Sequence, residues 1–363
     1  PCLPKKIEEG RIEDFRECIG CNICVTGGMT MSISRCTQNP TFMEEWRKGW
    51  HPERMNTKGA SSNVLVIGAG PAGLEAARAV AERGYDVALA EAGTVLGGRV
   101  ARERHLPGLS AWGRVADYRE YQLSQKPNVE SYFESELDAE SILEFGFENV
   151  CIATGAKWRR DGVSRQHVEP FPTDAAMPIF TPDDLMNGAV PTGHVVIYDD
   201  DHYYMGGVLA ELLIQKGCSV TLVTPAAYVS EWTLNTLEQH EIHRRLATMG
   251  VTIELNRGIT AIGKDYVQTN CMFTDMTRPL CCGAVLLVSS RLENKSVFDD
   301  LKLRAAEWAD AGIKSVKLIG DANAPGPIAW ATYAGHRYAR ELDEQDIGDA
   351  LPFRREITDL AVN

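Results

Sequence analysis

Four cysteines near the start of the chain are spaced as the ligands of an iron–sulfur cluster are spaced. Cys18, Cys21, Cys24 and Cys36 form a C-x2-C-x2-C-x11-C pattern, in which three closely spaced thiolates can surround one corner of a cubane. Gly20 keeps this loop tight, so that backbone N–H groups can point at sulfur. The pattern favours a single [4Fe–4S] cluster. The alternatives are zinc, which more often takes two separated C-x2-C pairs, and free or disulfide-bonded thiols.

A glycine-rich turn further along the chain predicts a dinucleotide site. Gly68, Gly70 and Gly73 form G-x-G-x-x-G between an apolar strand and a helix predicted over 71–83. The first glycine permits the turn, the second lets a pyrophosphate approach, and the third lets the helix pack closely on the strand. Glu91 ends the next strand and can accept both ribose hydroxyls, and its charge favours ADP, FAD or NAD over NADP. The alternative is a turn that is merely rich in glycine.

Further candidates for this site lie downstream of the turn. Arg99 could neutralise a pyrophosphate, or its segment could be a turn before a surface helix. An Ala-Thr-Gly run and a later Gly-Asp run recur in flavoproteins that have two dinucleotide-binding domains. The predicted cofactor-binding residues are Gly68, Gly70, Pro71, Ala72, Gly73, Glu91, Ala92, Gly98, Arg99, Thr154, Gly155 and Asp321.

The order of these motifs predicts an α/β fold with two Rossmann-like dinucleotide-binding domains of the FAD/NAD(P)-linked reductase type, one inserted in the other. An irregular 4Fe–4S-binding segment precedes them. The predicted parts are a cluster segment and linker at 1–60, an ADP-binding, FAD-like domain at 61–188 plus 289–345, a degenerate NAD(P)-like domain at 189–288, and a tail at 346–363.

The inserted domain repeats the strand, turn and helix of a nucleotide-binding unit without its phosphate chemistry. Where glycines should face phosphate, residues 199–204 read DDDHYY. Three carboxylates at a helix N terminus would repel a pyrophosphate. We therefore predict that this domain does not bind NAD(P)H. The aspartates could instead, or in addition, cap the helix that follows.

The composition and the positions of the histidines mainly exclude classes of function. The net charge of −13 speaks against nucleic acid, whose phosphates need a cationic surface. No apolar run approaches the ~18 residues that span a bilayer, so we expect a cytoplasmic protein without a membrane partner. No acid–base or nucleophile constellation stands out, and no catalytic residue is assigned. His51 and His202 are better functional candidates than His240 and His243, which fall on a predicted amphipathic surface helix.

Taken with their flanking residues, these motifs resemble the trimethylamine dehydrogenase and histamine dehydrogenase family. The resemblance covers essentially the whole chain and is carried by the runs KKIEEGRIEDFRECIGCNIC, RCTQNP, GWHPE, GAGPAGLEAAR and YDDDHYYMGGVLAELL. It implies an FMN-bearing (β/α)8 barrel that oxidises an amine, one [4Fe–4S] cluster that takes the electrons singly, and delivery to an electron-transferring flavoprotein. It also implies a homodimer, and ADP where relatives such as dienoyl-CoA reductase hold FAD.

The resemblance also implies that the barrel is missing from this sequence. The opening PCLPKK looks like the stretch that follows the last barrel strand, so FMN and the substrate-binding residues are expected upstream in the same polypeptide. Asp321 matches the position that would reach a ribityl chain, which puts its role with ADP in doubt. We expect the electron-transfer and ADP-binding portion of an amine dehydrogenase that oxidatively deaminates its substrate. The alternatives are an FAD- and NAD(P)H-dependent reductase of the dienoyl-CoA reductase type, and a non-catalytic docking module.

Overall fold

The computed structural model of the protein describes residues 3–44, 50 and 54–344. The predicted tail at 346–363 and the candidate His51 lie outside the described residues. Strands in the described part are β1 (Asn63–Ile67), β2 (Asp86–Ala90), β3 (Val129–Tyr132), β4 (Asn149–Ile152), β5 (Ala156–Trp158), β6 (Ile179–Phe180), β7 (His194–Asp199), β8 (Ser219–Val223), β9 (Thr252–Glu254), β10 (Arg257–Ile262), β11 (Tyr266–Cys271), β12 (Thr277–Cys281), β13 (Ala284–Val288), β14 (Arg291–Glu293) and β15 (Ser315–Leu318). Helices are α1 (Leu3–Glu8), α2 (Thr26–Thr30), α3 (Pro71–Glu82), α4 (Arg99–Glu103), α5 (Arg114–Ser124), α6 (Ala139–Phe145), α7 (Pro182–Met186), α8 (Met205–Gln215), α9 (Gln239–Thr248), α10 (Ser296–Leu303) and α11 (Ile328–Glu341).

The first domain is built on a five-stranded parallel sheet with the order β15-β4-β1-β2-β3. Its central strands β1 and β4 are apolar and buried, because helices cover both faces of a parallel sheet. Helix α11 packs along α3, and β15 pairs with β4. The last strand and the last helix of the described residues therefore belong to the first domain.

The second domain is built on another parallel sheet, with the order β6-β13-β7-β8-β9, and a smaller antiparallel sheet, β10-β11-β12. The predicted α/β class with two Rossmann-like domains is confirmed. Strand β6, at Ile179–Phe180, pairs with β13 and so belongs to the second sheet, although it precedes the predicted start of that domain at 189. A strand of two residues joined only by long-range main-chain bonds leaves no periodic pattern in the sequence. The other domain bounds stay predictions.

Apolar packing is continuous between the two domains. One hydrophobic cluster contains Leu106 and Trp112 from the first domain and Met205 and Leu209 from the second. Trp112 meets Tyr204 edge to face, with 4.6 Å between the ring centroids. The antiparallel pair of β14 with β5 adds main-chain bonds where the chain returns from the second domain to the first. No helix within the described ranges has the length and apolar character needed to cross a bilayer.

The segment that carries the cysteines is irregular, with α1, α2 and short turns as its regular elements. It is nevertheless attached to the domain that follows, because Ile19 is buried in the same hydrophobic cluster as Leu74 of α3. Asn22 reaches the second domain as well, since its side-chain amide donates to the carbonyl oxygen of Thr236 at 3.0 Å. Contacts with both domains therefore fix this segment.

Candidate functional site

A cavity of about 700 Å³ opens beyond the carboxyl ends of β1, β2 and β4. Ligands of open parallel sheets bind in the crevice outside the carboxyl ends of the strands, where the strand order reverses. The cavity is lined by all the predicted cofactor-binding residues except Gly73. The fold thus brings together segments that are more than two hundred residues apart, from the glycine turn to Asp321.

The three glycines of the turn have different roles in the structure. Gly68 adopts a left-handed φ of +95°, which glycine accepts without strain. A Cβ on Gly73 would lie 1.8 Å from the carbonyl oxygen of Gly68, so α3 can approach β1 only with glycine at this position. A Cβ on Gly70 would meet no atom within 4 Å. Gly70 therefore leaves open space at the start of α3, where no side chain caps the free N–H groups.

Glu91 stands at the rim of the cavity, directly after β2. One carboxylate oxygen accepts from the backbone N–H of Ala69 and the other from that of Gly93, both at 2.8 Å. These two bonds hold the carboxylate in a fixed orientation. Each oxygen keeps a further lone pair that can accept from a hydroxyl.

Asp321 is held by two arginines rather than facing open space. Its Oδ2 accepts from Arg291 Nη1 at 2.6 Å and lies 3.6 Å from Arg99 Nε. Both arginines also donate to the carbonyl oxygen of Gly326, each at 2.9 Å. Although burial opposes it, the charges of Asp321 and Glu103 raise the pKa of Arg99 above its ordinary value. Arg99 thus lies at the cavity, where it pairs with the Asp321 carboxylate of this chain and donates to the Gly326 carbonyl oxygen.

Arg291 was missed by sequence reasoning. It lies at the start of β14, and its partner Asp321 is thirty residues further along the chain. No short motif records such a pair. The one available signal is that Arg291 closely follows the last apolar strand of the inserted domain, where the chain returns toward the first.

The Ala-Thr-Gly run is fixed by the returning strand. The hydroxyl of Thr154 donates to the carbonyl oxygen of Asn294, and the backbone N–H of Asn294 donates to the carbonyl oxygen of Gly155 at 2.9 Å. Gly155 has a φ of +76°, which favours glycine. The segment that returns from the second domain therefore helps to shape the far wall of the cavity.

The four predicted metal ligands are free thiols in the described structure. Backbone N–H groups face two of them, with Gly20 N 3.4 Å from Cys18 Sγ and Asn39 N 3.3 Å from Cys36 Sγ. Such N–H donors to sulfur are usual around iron–sulfur clusters. The chemistry of this donor set fits a thiolate-bound cluster.

The arrangement of the thiols is looser than that of a formed metal site. Burial, and then the neighbouring thiols of Cys36 and Cys18, raise the pKa of Cys24, so these sulfurs are close enough to interact. Cys21 Sγ lies 3.2 Å from the hydroxyl of Thr37. Across 3–44, 50 and 54–344, no three Cys, His, Asp or Glu side chains are grouped in a way that could hold a metal ion.

The acidic turn of the second domain folds its first two carboxylates inward. Asp199 is fully buried and accepts from the backbone N–H of His202 at 3.0 Å, and burial raises the pKa of Asp199 to about 7. Asp200 accepts from the backbone N–H of Gln166 at 2.7 Å and lies 3.1 Å from the ring of His202. These contacts give His202 a structural role. On α9, His240 is exposed and His243 half-buried.

Aromatic rings pack where a phosphate would meet α8. Tyr203 contacts both Tyr204 and Trp232, with 4.7 Å between centroids in each pair. Tyr204 is the N-cap residue and makes no side-chain capping bond, so the predicted alternative of an aspartate cap on α8 is not found. The turn is built for internal packing.

Comparisons with known proteins match both domains and the whole chain. A family model described as an NAD(P)-binding Rossmann-like domain matches residues 66–135, and one described as an OYE-like second alpha/beta domain matches residues 180–296. The sequence is 37% identical to dimethylamine dehydrogenase of Hyphomicrobium sp. (strain x), covering 98% of this chain and 52% of that protein.

Two solved structures are similar over nearly the full chain. Histamine dehydrogenase from Rhizobium sp. 4-9 matches with 68% identity and a TM-score of 0.95, covering 99% of this chain and 56% of that one. The 6-hydroxypseudooxynicotine amine oxidase from Pseudomonas geniculata N1 matches with 43% identity and a TM-score of 0.90, covering 94% and 51%. The chain therefore spans about half the length of these relatives.

Proposed function

Because this chain is a close homologue of the dimethylamine and histamine dehydrogenases, over about half of their length, we propose that it is the electron-transfer and nucleotide-binding portion of an amine dehydrogenase. The observation that carries the proposal is the match to histamine dehydrogenase across nearly the whole chain at 68% identity. Its homologues are oxidoreductases, so a role in oxidation and reduction follows at the coarser level.

ADP is the nucleotide that we assign to the cavity beside the glycine turn. Glu91 presents a fixed carboxylate to the ribose hydroxyls, and the uncapped start of α3 presents free N–H groups to the phosphates. A flavin would need to extend toward Asp321, whose carboxylate is already occupied by Arg99 and Arg291. The acidic, aromatic turn of the second domain leaves such a flavin without a nicotinamide donor.

The four cysteines are proposed to hold one [4Fe–4S] cluster. When bound, such a cluster accepts and releases one electron at a time. The residues of the chain supply the thiolates, the backbone N–H groups that face sulfur, and the buried side chains of Ile19 and Ile23 beside the cysteines. The N–H groups stabilise thiolate charge, and together with the buried neighbours they set the electrostatic environment of the cluster.

The remaining partners are part of the same proposal. We propose that an FMN-bearing barrel elsewhere in the same polypeptide oxidises and deaminates the amine, and that an external electron-transferring flavoprotein receives the electrons. A homodimer is part of the proposal. The residues that bind the amine then lie outside this chain.

The first test is to identify what the protein carries when purified anaerobically. We expect mass spectrometry of the nucleotide released on denaturation to find ADP, and the same sample to contain about four irons and four sulfides per chain. Cys24→Ser should lose iron and keep ADP, because the two sites use different residues. FAD in place of ADP would overturn the nucleotide assignment.

A second candidate function is an FAD- and NAD(P)H-dependent reductase. One observation favours it, since NADH oxidase of Thermoanaerobacter brockii is 29% identical over 94% of this chain. Calorimetric titration with NADH and with NADPH separates the two functions, and ADP added to nucleotide-free protein is the positive control. We expect the titration with ADP to show a heat of binding, and the titrations with NADH and NADPH to show none. Micromolar binding of either nicotinamide nucleotide would bring the reductase to first place.

A further inference from the structure

A buried arginine joins the helix of the nucleotide site to the loop of the fourth cysteine. Arg119, on α5, is fully buried, and its Nε donates to Glu75 Oε2 at 2.7 Å. The other end of the guanidinium donates to Gln38, with Nη1 3.1 Å from the side-chain oxygen and Nη2 3.3 Å from the carbonyl oxygen. One rigid fork therefore bridges two segments that are distant in sequence.

Glu75 is the end of this bridge on the nucleotide side. It lies on α3, whose N-cap residue Gly70 and first residues line the cavity. Its carboxylate is fully buried and also accepts from Arg78 Nη2 at 2.7 Å and from the ring of His336 at 3.0 Å. Since an ionised carboxylate buried without partners is strongly unfavourable, Glu75 is held in place by this set of donors.

Gln38 is the end of the bridge on the cysteine side. It is buried two residues after Cys36, and its side-chain amide donates to the carbonyl oxygen of Arg114 at 3.2 Å. The next residue, Asn39, directs its backbone N–H at Cys36 Sγ at 3.3 Å. The bonds from α5 therefore help to fix the position of the Cys36 thiol.

We propose that Arg119 is a positioning residue through which a nucleotide bound at the start of α3 stabilises the loop that carries Cys36. The identities of the two ligands, ADP and a thiolate-bound cluster, rest on the proposed function. A bound nucleotide disfavours local opening of α3, and an ordered α3 keeps Glu75 in place. The Nη2 group of Arg119 then keeps its acceptor only while Gln38 is also in place, because displacement of the loop leaves this buried donor without a partner.

This coupling is reciprocal, as linkage between two binding sites requires. Nucleotide slows exposure of Cys36 and loss of iron, and a formed cluster in turn tightens nucleotide binding. The nucleotide thereby helps to maintain the metal site, although no electron needs to pass through it.

The test measures how ADP changes the reactivity of Cys36 in the purified full-length protein after its metal has been removed. Iodoacetamide labels the thiol, and peptide mass spectrometry follows the rate at Cys36. We expect saturating ADP to slow labelling by about fivefold or more in the wild type. The effect should fall below about twofold in Arg119→Lys, which loses the planar fork, and in Gln38→Met, which keeps the side-chain volume.

Arg83→Lys is the matched control. Arg83 is also a buried arginine, at the C-terminal end of α3, the helix that carries Glu75. Its Nη1 donates to the carbonyl oxygen of Leu342 at 2.7 Å and not to the cysteine loop. We expect it to keep the full ADP effect. In the iron-loaded proteins, ADP should slow the loss of iron to a ferrous chelator in the wild type and in Arg83→Lys. It should slow this loss much less in Arg119→Lys and Gln38→Met.

The outcomes separate this inference from the proposed function. An ADP effect of equal size in all four proteins overturns the coupling through Arg119 and leaves the nucleotide and metal assignments standing. Absence of ADP binding to the wild type in calorimetry overturns the nucleotide assignment and the coupling together. The iron content of the purified protein tests the metal assignment on its own.

Discussion

Individual carboxylates in this protein take different roles because different groups donate to them. Glu91 is fixed by two backbone N–H groups and keeps free lone pairs toward the cavity. Asp321 is neutralised by two guanidinium groups. Asp199 is buried beside other acids, so its pKa is raised to about 7. Residue type alone does not distinguish a ligand-binding acid from a structural one, whereas the donors around each acid do.

Glu91→Ala should weaken ADP binding about tenfold or more, because a bond to a charged acceptor contributes roughly 1.5–3 kcal/mol. Isothermal calorimetry on nucleotide-free protein measures this effect. Glu148→Ala is the control, since that carboxylate also accepts from a backbone N–H, that of Ser62, but lies outside the cavity. Retention of nucleotide at full occupancy in Glu91→Ala would show that the assignment of this residue is wrong.

His336 should make the protein less stable as the pH falls from about 6.5 toward 4. Burial lowers its pKa to about 4, whereas an unfolded histidine titrates near 6.5. In that window the unfolded state binds more protons than the folded state, so the free energy of unfolding rises with pH. The corresponding stability is lost on acidification.

The tautomer of His336 suggests the variant that tests this prediction. Its Nε2 accepts from Arg340 Nε at 3.1 Å, so Nδ1 carries the hydrogen that is donated to Glu75. Glutamine can donate and accept in the same way without titrating. Denaturant unfolding at a series of pH values gives the slope of the free energy of unfolding against pH. In His336→Gln this slope should be smaller than in the wild type by about 1 kcal/mol per pH unit. His243→Gln, at a half-exposed position on α9, should keep the wild-type slope, and equal slopes in all three proteins would refute the prediction.

At the scale of elements, the glycine turn was predictable because all of its requirements are local. A strand, three glycines, a helix and an acid at the end of the next strand lie within one short stretch, and the structure forms those elements there. Arg291, Arg119 and strand β6 were not predictable, since each depends on a partner far along the chain. The acidic turn was interpreted from charge alone, whereas the structure adds aromatic packing at the start of α8.

Two glycines in the turn should respond differently to alanine. Gly73→Ala places a methyl group against the Gly68 carbonyl oxygen, so it should destabilise the protein by about 2 kcal/mol or more. Gly70→Ala meets no atom of the protein, so its effect on stability should stay within about 1 kcal/mol. It should nevertheless weaken ADP binding at least about tenfold, since the methyl group takes the space of the pyrophosphate. Thermal unfolding and calorimetry together measure both effects, and unchanged ADP affinity in Gly70→Ala would place the phosphates elsewhere.

At the scale of the whole molecule, the two domains and the cysteine segment form one connected body. The main hydrophobic cluster joins Trp112 of the first domain to Met205 of the second and also includes Ile19 of the cysteine segment. The two Rossmann-like units could be predicted from repeated strand and helix patterns. Their packing against each other could not, because it depends on which apolar faces meet after the chain has folded.

Since apolar packing is continuous between the domains, ADP should stabilise both of them. A ligand that binds only the folded state at a thousandfold excess over its Kd contributes about 4 kcal/mol. Differential scanning calorimetry should therefore show one transition that moves up by several degrees with ADP, whereas the transition of Glu91→Ala should move less at the same ADP concentration. Two transitions, of which only one moves, would show that the domains unfold separately and that the shared cluster is too weak to couple them. A single transition that ADP leaves in place would instead contradict nucleotide binding by the wild-type protein.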